Sequence, residues 1–282
     1  MDSRCIDCFR RSFCRLSDVY QVTPENRLAF FKKFAGIANI ESRISAPEAQ
    51  RNLIEIFNSY TGNIDPYKKE KTLSNTLALQ LYKEWKPQVV NSDDPFDIAL
   101  RLAIAGNIMD YAASANFDIN KTIYRVLTSN FAIDDSNLLK TEIINASRIL
   151  YLGDNAGEIV FDKLFIEIMN HKAVTYAVRG SNVLNDATKE DAKATGIKKV
   201  AKVISNGYNA PSTILNHCSK EFNDAFKKAD LIISKGQGNL EGLYKVKDSR
   251  IFFLLTVKCD VMAEILKVEK GSFVVMKQKN NE

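Results

Sequence analysis

Residues 148–158 of the chain read RILYLGDNAGE, and this stretch decides the fold class. The apolar run at residues 148–152 predicts a short strand, and the glycine-rich turn after it leads into a helical stretch over residues 157–170. Strands that alternate with helices at this spacing predict an α/β domain, a three-layer α/β/α arrangement whose mostly parallel sheet is covered on both faces. The later predicted strands cover residues 173–178, 199–204, 231–234, 252–257 and 272–276, and the later helices cover residues 186–195 and a segment that begins near Pro211.

The sequence before residue 140 has the pattern of helices instead. Apolar residues recur there at steps of three and four, and Asp94-Pro95 has the composition of a helix start. We therefore predict an all-helical domain over residues 1–140, followed by the α/β domain over residues 141–282, with no convincing strand before Ile149. The predicted helices cover residues 28–35, 47–60, 72–85 and 96–112.

The bulk composition is that of a globular protein. Of the 282 residues, 45% are hydrophobic and 26% are charged, and the net charge is +5. The longest strongly apolar run, residues 251–257, is far shorter than the roughly 20 residues that a membrane helix needs. The first residues mix acids and bases, unlike a signal peptide, and no basic block interleaved with aromatics predicts a nucleic-acid surface. We expect a cytoplasmic protein that acts on a small anionic molecule, with its oligomeric state open.

Three polar clusters follow predicted strands directly. They are GDNAGE at residues 153–158, RGSNVLND at residues 179–186 and SKGQGN at residues 234–239. Because ligands of open parallel sheets bind beyond the carboxyl ends of the strands, we expect side chains from these clusters to meet. The glycines let a ligand approach the backbone, and N–H groups at a helix start favour an anion. Taken singly, the first two clusters also fit an ordinary helix cap or turn.

Individual side chains in these clusters suit a metal ion and a phosphate. Asp154 and Asn155 supply hard oxygen ligands of the kind that Mg²⁺ or Mn²⁺ prefers, and Asp186 is a candidate third ligand. Arg179 is a candidate phosphate contact. Lys235 lies between a strand end and two glycines, as in a phosphate clamp, although the Walker spacing is absent. The other candidate substrate-binding residues of the clusters are Gly157, Glu158, Gly236 and Asn239.

Seven segments together resemble a known family. They are DPY at residues 65–67, DPFDIALRLAIAGNIMDYA at residues 94–112, YLGDNAGEIVFDKLFIE, VRGSNVLNDAT, SNGYNAPST, IISKGQGNLEGL and LLTVKCDVMAEIL. In this order they look like the damage-control phosphatases, formerly a family of domains of unknown function, and the resemblance covers nearly the whole chain. The Cys5-x-x-Cys8 motif places the sequence nearer the prokaryotic branch.

The resemblance implies a helical N-terminal region packed on a Rossmann-like α/β domain. It also implies hydrolysis of phosphate esters with a divalent cation such as Mg²⁺, Mn²⁺, Co²⁺ or Ni²⁺. By position in the family's motifs, Asp154, Asn155 and Asp186 match the metal ligands, and Lys235 matches a lysine that contacts phosphate.

Other positions of the family pattern bear on the substrate. Asn107 and Asp110 match a helical-domain motif that faces the cleft, where they would touch the organic part of the substrate. Ser212 stands where a glycine is usual, which leaves the shape of its loop in question. Either water or Asp154 could attack phosphorus. By family analogy, the candidate substrates are sugar phosphates, phosphopantetheine derivatives and damaged nucleotides.

The cysteines allow two interpretations. Cys5 and Cys8 are three apart, so on a helix they share one face and could bind a soft metal. Cys14 is about half a turn out of phase with Cys5, so a complete second site would need a distant ligand such as Cys259. The alternative is that these thiols are reduced and structural.

Two rival functions belong to other classes. The fold is compatible with an S-adenosylmethionine-dependent carboxyl methyltransferase, as one eukaryotic relative has been described. A non-catalytic sugar-phosphate or nucleotide sensor is also compatible, because a fold does not fix a function. GDNAGE favours the phosphatase, since it places metal-binding oxygens beside a phosphate-friendly turn.

Overall fold

A seven-stranded sheet forms the centre of the molecule. The computed structural model describes residues 1–38, 44–62, 65–106 and 119–279. The strand order is β1-β7-β6-β5-β2-β3-β4, and every neighbouring pair is parallel except β6 and β7. The predicted α/β fold with a mostly parallel sheet is therefore confirmed. The strands are β1 Ile133–Asp134, β2 Ile149–Leu152, β3 Val174–Val178, β4 Lys202–Ser205, β5 Leu231–Lys235, β6 Ile251–Thr256 and β7 Phe273–Lys277.

Helices cover both faces of this sheet and form the first third of the chain. Short 3-10 turns occur at Ile197–Lys199 and Leu215–His217. The α-helices are α1 Ser3–Val19, α2 Pro24–Ala38, α3 Ala46–Thr61, α4 Lys68–Val90, α5 Pro95–Ala105, α6 Ile119–Thr128, α7 Ser136–Asn145, α8 Glu158–Met169, α9 Lys189–Thr195, α10 Lys220–Lys228, α11 Gly236–Leu243 and α12 Asp260–Leu266. None of the described helices is long and apolar enough to cross a membrane.

Two of the secondary-structure predictions are wrong. In the described chain no α-helix begins near Pro211, where only the 3-10 turn Leu215–His217 follows; α10 begins at Lys220, because the Ser219 side chain accepts from the Phe222 N–H and caps it there. A strand also precedes Ile149, since β1 pairs with β7 through Ile133 and Val274. Its two residues are too few to show a strand pattern in the sequence. β1 thus belongs to the sheet although its two residues precede position 140. The predicted domain boundary at that position stays a prediction.

Alternate residues of β2 enter two cores. Ile149 and Tyr151 pack with α4, α5 and α8 on one face of the sheet. Leu150 and Leu152 pack with α10, α11 and α12 on the other. Because both faces are covered, the strand is apolar at every position, as is usual in parallel sheets.

Helices α1–α3 share a separate aromatic core. The Phe13 ring lies 5.0 Å from Phe30 and 5.5 Å from Phe57, between ring centroids. Val183, from the loop after β3, joins this cluster. The three helices are thereby fixed over the carboxyl end of the sheet.

Candidate active site

The three predicted metal ligands meet beyond the carboxyl ends of β2 and β3. Asn155 and Asp186 form an antiparallel β-bridge between the two loops. The Ala187 N–H donates to the Asp154 carbonyl at 2.8 Å, and the Ala156 N–H donates to the Asn185 carbonyl at 2.9 Å. These backbone bonds bring all three side chains to one buried place, although they are separated by up to 32 positions in the sequence.

The hydrogen bonds of Asn155 orient its amide group. Nδ2 donates to Asp154 Oδ2 at 3.1 Å and to Glu158 Oε2 at 3.3 Å. Both amide hydrogens are therefore directed at carboxylates, which leaves Oδ1 as the group that can bind a cation. Two carboxylates and one amide oxygen make a hard donor set of the kind that Mg²⁺ and Mn²⁺ take.

Burying this donor set costs free energy unless a cation is bound to it. Burial raises the pKa of Asp154 well above its usual range, and the charges of Asp186 and Glu158 raise it further. The charges of Arg179 and Lys258 oppose that increase. A divalent ion would relieve the repulsion, so the residues present fit a metal. Within the described ranges no group of three or more His, Cys, Asp and Glu side chains could hold an ion. The candidate set is of a different kind, because one of its three ligands is the Asn155 amide.

Arg179 contacts two acidic side chains of the site, and its predicted role as a phosphate contact stays a prediction. Its Nε donates to Asp186 Oδ2 at 2.5 Å, and one terminal nitrogen lies 3.3 Å from Asp154 Oδ1. The other terminal nitrogen donates to Asn239 Oδ1 at 2.9 Å, and Asn239 in turn donates to the Gly153 and Lys235 carbonyls. Arg179 and Asn239 were both predicted to bind substrate. In the structure they bond to each other and hold the acidic side chains and the neighbouring backbone in place.

Lys235 is also turned away from the cleft. Its fully buried Nζ donates to Glu158 Oε1 and Asp162 Oδ1, both at 2.6 Å, and to the Ala103 carbonyl at 2.8 Å. Burial alone would lower the pKa of Lys235, but the charges of Asp162 and Glu158 outweigh it and raise the pKa. Two buried carboxylates bind this ammonium group, and the predicted contact of Lys235 with phosphate stays a prediction.

Asp162 completes the buried network and was not identified from the sequence. The hydroxyl groups of Tyr151 and Tyr176 each donate to its carboxylate at 2.7 Å. Asp162 follows Glu158 by one helical turn of α8, so a single helix presents both acids to Lys235. An acid at that spacing in an apolar helix is the only sequence signal that could have revealed it.

Two predicted glycines, Gly157 and Gly236, make close contacts within the protein. The Gly157 N–H donates to Asn75 Oδ1 of α4 at 2.8 Å, so this N–H is already bonded. Asn75 also donates to Asp191 Oδ1 at 2.8 Å, which ties α4 to α9 and to the loop of the site. Gly236 has a φ of 78° and lies against the Asp154 carboxylate. Asn75 was missed because nothing local links it to residues 82 positions later.

A cleft of about 560 Å³ opens over the three candidate ligands. One wall is α1 and the start of α3, and the other is formed by α11, the segment before α12 and α12 itself. Arg4 joins the walls at one end, donating to both Glu264 carboxylate oxygens at 2.6 and 2.8 Å. Lys258 lines the cleft near Asp154, whose pKa its charge lowers. Lys258 lies within one of the segments that resemble the family, but no role was predicted for it.

Cys5, Cys8 and Cys259 line the same cleft, and all three are free thiols. Gln237 Nε2 lies 3.2 Å from the Cys259 sulfur. Burial, with smaller effects of Glu241 and Cys259, raises the pKa of Cys5 to about 11. The three thiols line one cavity, but among the described residues they do not form a group that could hold an ion, and a second metal there stays a prediction. Asn107 and Asp110, the predicted contacts from the helical part, lie outside the described residues.

Comparison with known proteins identifies the family. The family model described as damage-control phosphatase ARMT1-like domain matches residues 1–274. A damage-control phosphatase of Pyrococcus horikoshii is 38% identical over 243 residues, covering 85% of this chain and 83% of that protein. A damage-control phosphatase of Archaeoglobus fulgidus is 32% identical over 279 residues, covering 96% of this chain and 88% of the other.

A solved structure shows the same fold. The crystal structure of a DUF89 family protein from Pyrococcus horikoshii superposes with a TM-score of 0.90 at 34% identity, and covers 99% of both chains. Relatives named as phosphatases support a phosphatase-type activity for this protein. With a family match that extends over nearly the whole sequence, the chain belongs to the damage-control phosphatase ARMT1-like domain family.

Proposed function

We propose that the protein is a metal-dependent phosphatase that hydrolyses small phosphorylated metabolites. The observation on which this rests is the convergence of Asp154, Asn155 and Asp186 at the base of the cleft, with their backbones joined by a β-bridge. These three side chains are the proposed ligands. A Mg²⁺, Mn²⁺, Co²⁺ or Ni²⁺ ion bound there would polarise a phosphoryl oxygen and neutralise developing charge.

The surrounding residues divide the remaining work. Arg179 fixes the two carboxylates, and Glu158 fixes the Asn155 amide, so the ligand oxygens are held in place before substrate arrives. Lys235 acts through Glu158 as a positioning residue. Lys258, which lines the cleft near Asp154, is the cation that we assign to the phosphoryl oxygens.

The size of the cleft favours a small substrate. At about 560 Å³ it falls within the range of roughly 300–1,000 Å³ that is usual for small-molecule sites. Its walls mix apolar side chains such as Phe9, Pro47 and Val261 with polar ones. The phosphoryl group would lie at the floor and the organic part between α1 and the segment before α12.

Phosphate release after metal exchange tests the proposal. Protein stripped with a chelator is assayed with p-nitrophenyl phosphate and a panel of phosphorylated metabolites, with each of the four cations added back. We expect turnover only with added metal, and none in Asp154→Asn, while the exposed control Asp93→Asn keeps full activity. Ligand-dependent thermal stabilisation without turnover would favour a sensor, and methyl transfer from S-adenosylmethionine would favour the methyltransferase.

A further inference from the structure

A second cavity lies at the opposite edge of the sheet from the candidate active site. Its volume is about 700 Å³, and it is lined by the amino-terminal ends of β2, β3 and β4 and by α10. A strand of four or five residues, about 13–17 Å at 3.3 Å per residue, separates the two edges. We name this cavity the basic groove after the five cations that line it, Arg148, Lys172, Lys199, Lys202 and Lys228.

The charges of the basic groove are not balanced. Its two acidic residues, Glu221 and Asp224, both lie on α10, and they face five cations. All five cations are exposed, and none is in an ion pair with any residue in the described part of the chain. Cations that converge on a concave surface without counter-charges raise the local concentration of anions.

Helix ends account for only part of this charge. Lys228 is the last residue of α10, where the helix dipole favours a cation. Lys199 is the last residue of a 3-10 turn, whereas Lys202 begins β4 and Lys172 precedes β3. Helix ends therefore do not explain the positions of Lys172 and Lys202.

We propose that the basic groove binds a small oligophosphate, meaning a molecule with several linked phosphate groups. Between the cations, the lining consists largely of small apolar residues such as Ala173, Val200 and Ala225. None of the described residues that line it is aromatic, so it offers no stacking partner for a nucleic-acid base. The volume suits a small ligand, and the cations of the groove would bind its phosphate groups directly.

A binding titration with inorganic tripolyphosphate tests this site. The measurement is made with a chelator present and in the Asp154→Asn background, which removes the candidate active site from the result. The groove variant combines Lys172→Gln, Lys199→Gln and Lys202→Gln. The matched control combines Lys32→Gln, Lys83→Gln and Lys245→Gln, which remove the same charge from exposed positions elsewhere.

We expect the dissociation constant to rise at least about tenfold in the groove variant and to change less than about twofold in the control. A parallel titration with ATP identifies the kind of oligophosphate. If ATP binds as tightly as tripolyphosphate, the ligand is an inorganic chain; if ATP binds more tightly, the ligand is a nucleotide. Equal weakening in both triple variants would overturn the proposal, because net charge alone would then explain binding. Absence of binding, or affinity for single-stranded DNA that exceeds tripolyphosphate and grows with length, would overturn it too.

Discussion

Gly236 lies so close to Asp154 that no β-carbon fits between them. A Cβ built on Gly236 would overlap Asp154 Oδ2 and stand 3.0 Å from Oδ1. The φ of 78° at this position is also one that side-chain-bearing residues rarely adopt. The glycine that begins α11 therefore sets the position of a candidate metal ligand on the loop after β2.

Gly236→Ala should inactivate the enzyme by moving that carboxylate. A displacement of about 1 Å at a reacting centre can cost roughly 100-fold in rate, and we expect a loss of that order in kcat. Gly196→Ala is the matched control, since Gly196 has a φ of 72° but its nearest contact would be 3.9 Å away. It should lose about 1 kcal/mol of stability and keep its activity. Similar kinetics for the two variants would show that Gly236 does not position Asp154.

Asp154→Asn should separate activity from stability. Without this ligand we expect kcat/KM with Mn²⁺ to fall by at least about 100-fold. Without metal, the variant should melt at the same temperature as the wild type or higher, because burial and the charges of Asp186 and Glu158 disfavour an ionised Asp154. Thermal melts with and without Mn²⁺ check this: the wild type should gain stability from the ion and the variant should not. A large drop in the metal-free melting temperature would contradict the expectation.

Lys235→Met should lower the free energy of unfolding of the protein. The change leaves Glu158 and Asp162 buried without their counter-charge, which typically costs about 3–5 kcal/mol. Lys86→Met is the control, because the Lys86–Glu167 pair is partly exposed and such pairs contribute about 0–1 kcal/mol. Urea unfolding measures both free energies. Comparable values would mean that the buried network contributes little.

Alkylation of Cys5 should be slow at neutral pH. Because its pKa is raised to about 11, about one Cys5 thiol in a thousand is ionised at pH 8. The thiolate is the reactive form, so the iodoacetamide rate should rise about tenfold per pH unit until about pH 11. Peptide mass spectrometry, with Cys5→Ser to assign the site, follows the reaction. A rate that levels off below pH 9 would show that burial does not protect this thiol.

The sequence was informative wherever function depends on strand order. Asp154 and Asp186 could be placed together because parallel strands end at one edge of the sheet, and β2 and β3 are neighbours as consecutive strands usually are. The fold class followed from the same alternation of strands and helices.

It was uninformative wherever a contact joins distant segments. Lys235 follows a strand and precedes a glycine, as a phosphate-binding lysine would, yet it points at Glu158 and Asp162 of α8. The bond from Gly157 to Asn75 crosses to a helix that precedes the sheet. Such partners are set by how α4 and α8 pack, and no local pattern records that packing.

The bond between Arg4 and Glu264 has a consequence for synthesis on the ribosome. Arg4 lies in α1, which forms one wall of the cleft, and its partner Glu264 lies in α12, 260 positions later in the chain. Domains fold as units once their residues are available, so the cleft cannot be assembled on a nascent chain that still lacks α12. Newly made protein should therefore acquire hydrolytic capacity only after α12 has left the ribosome.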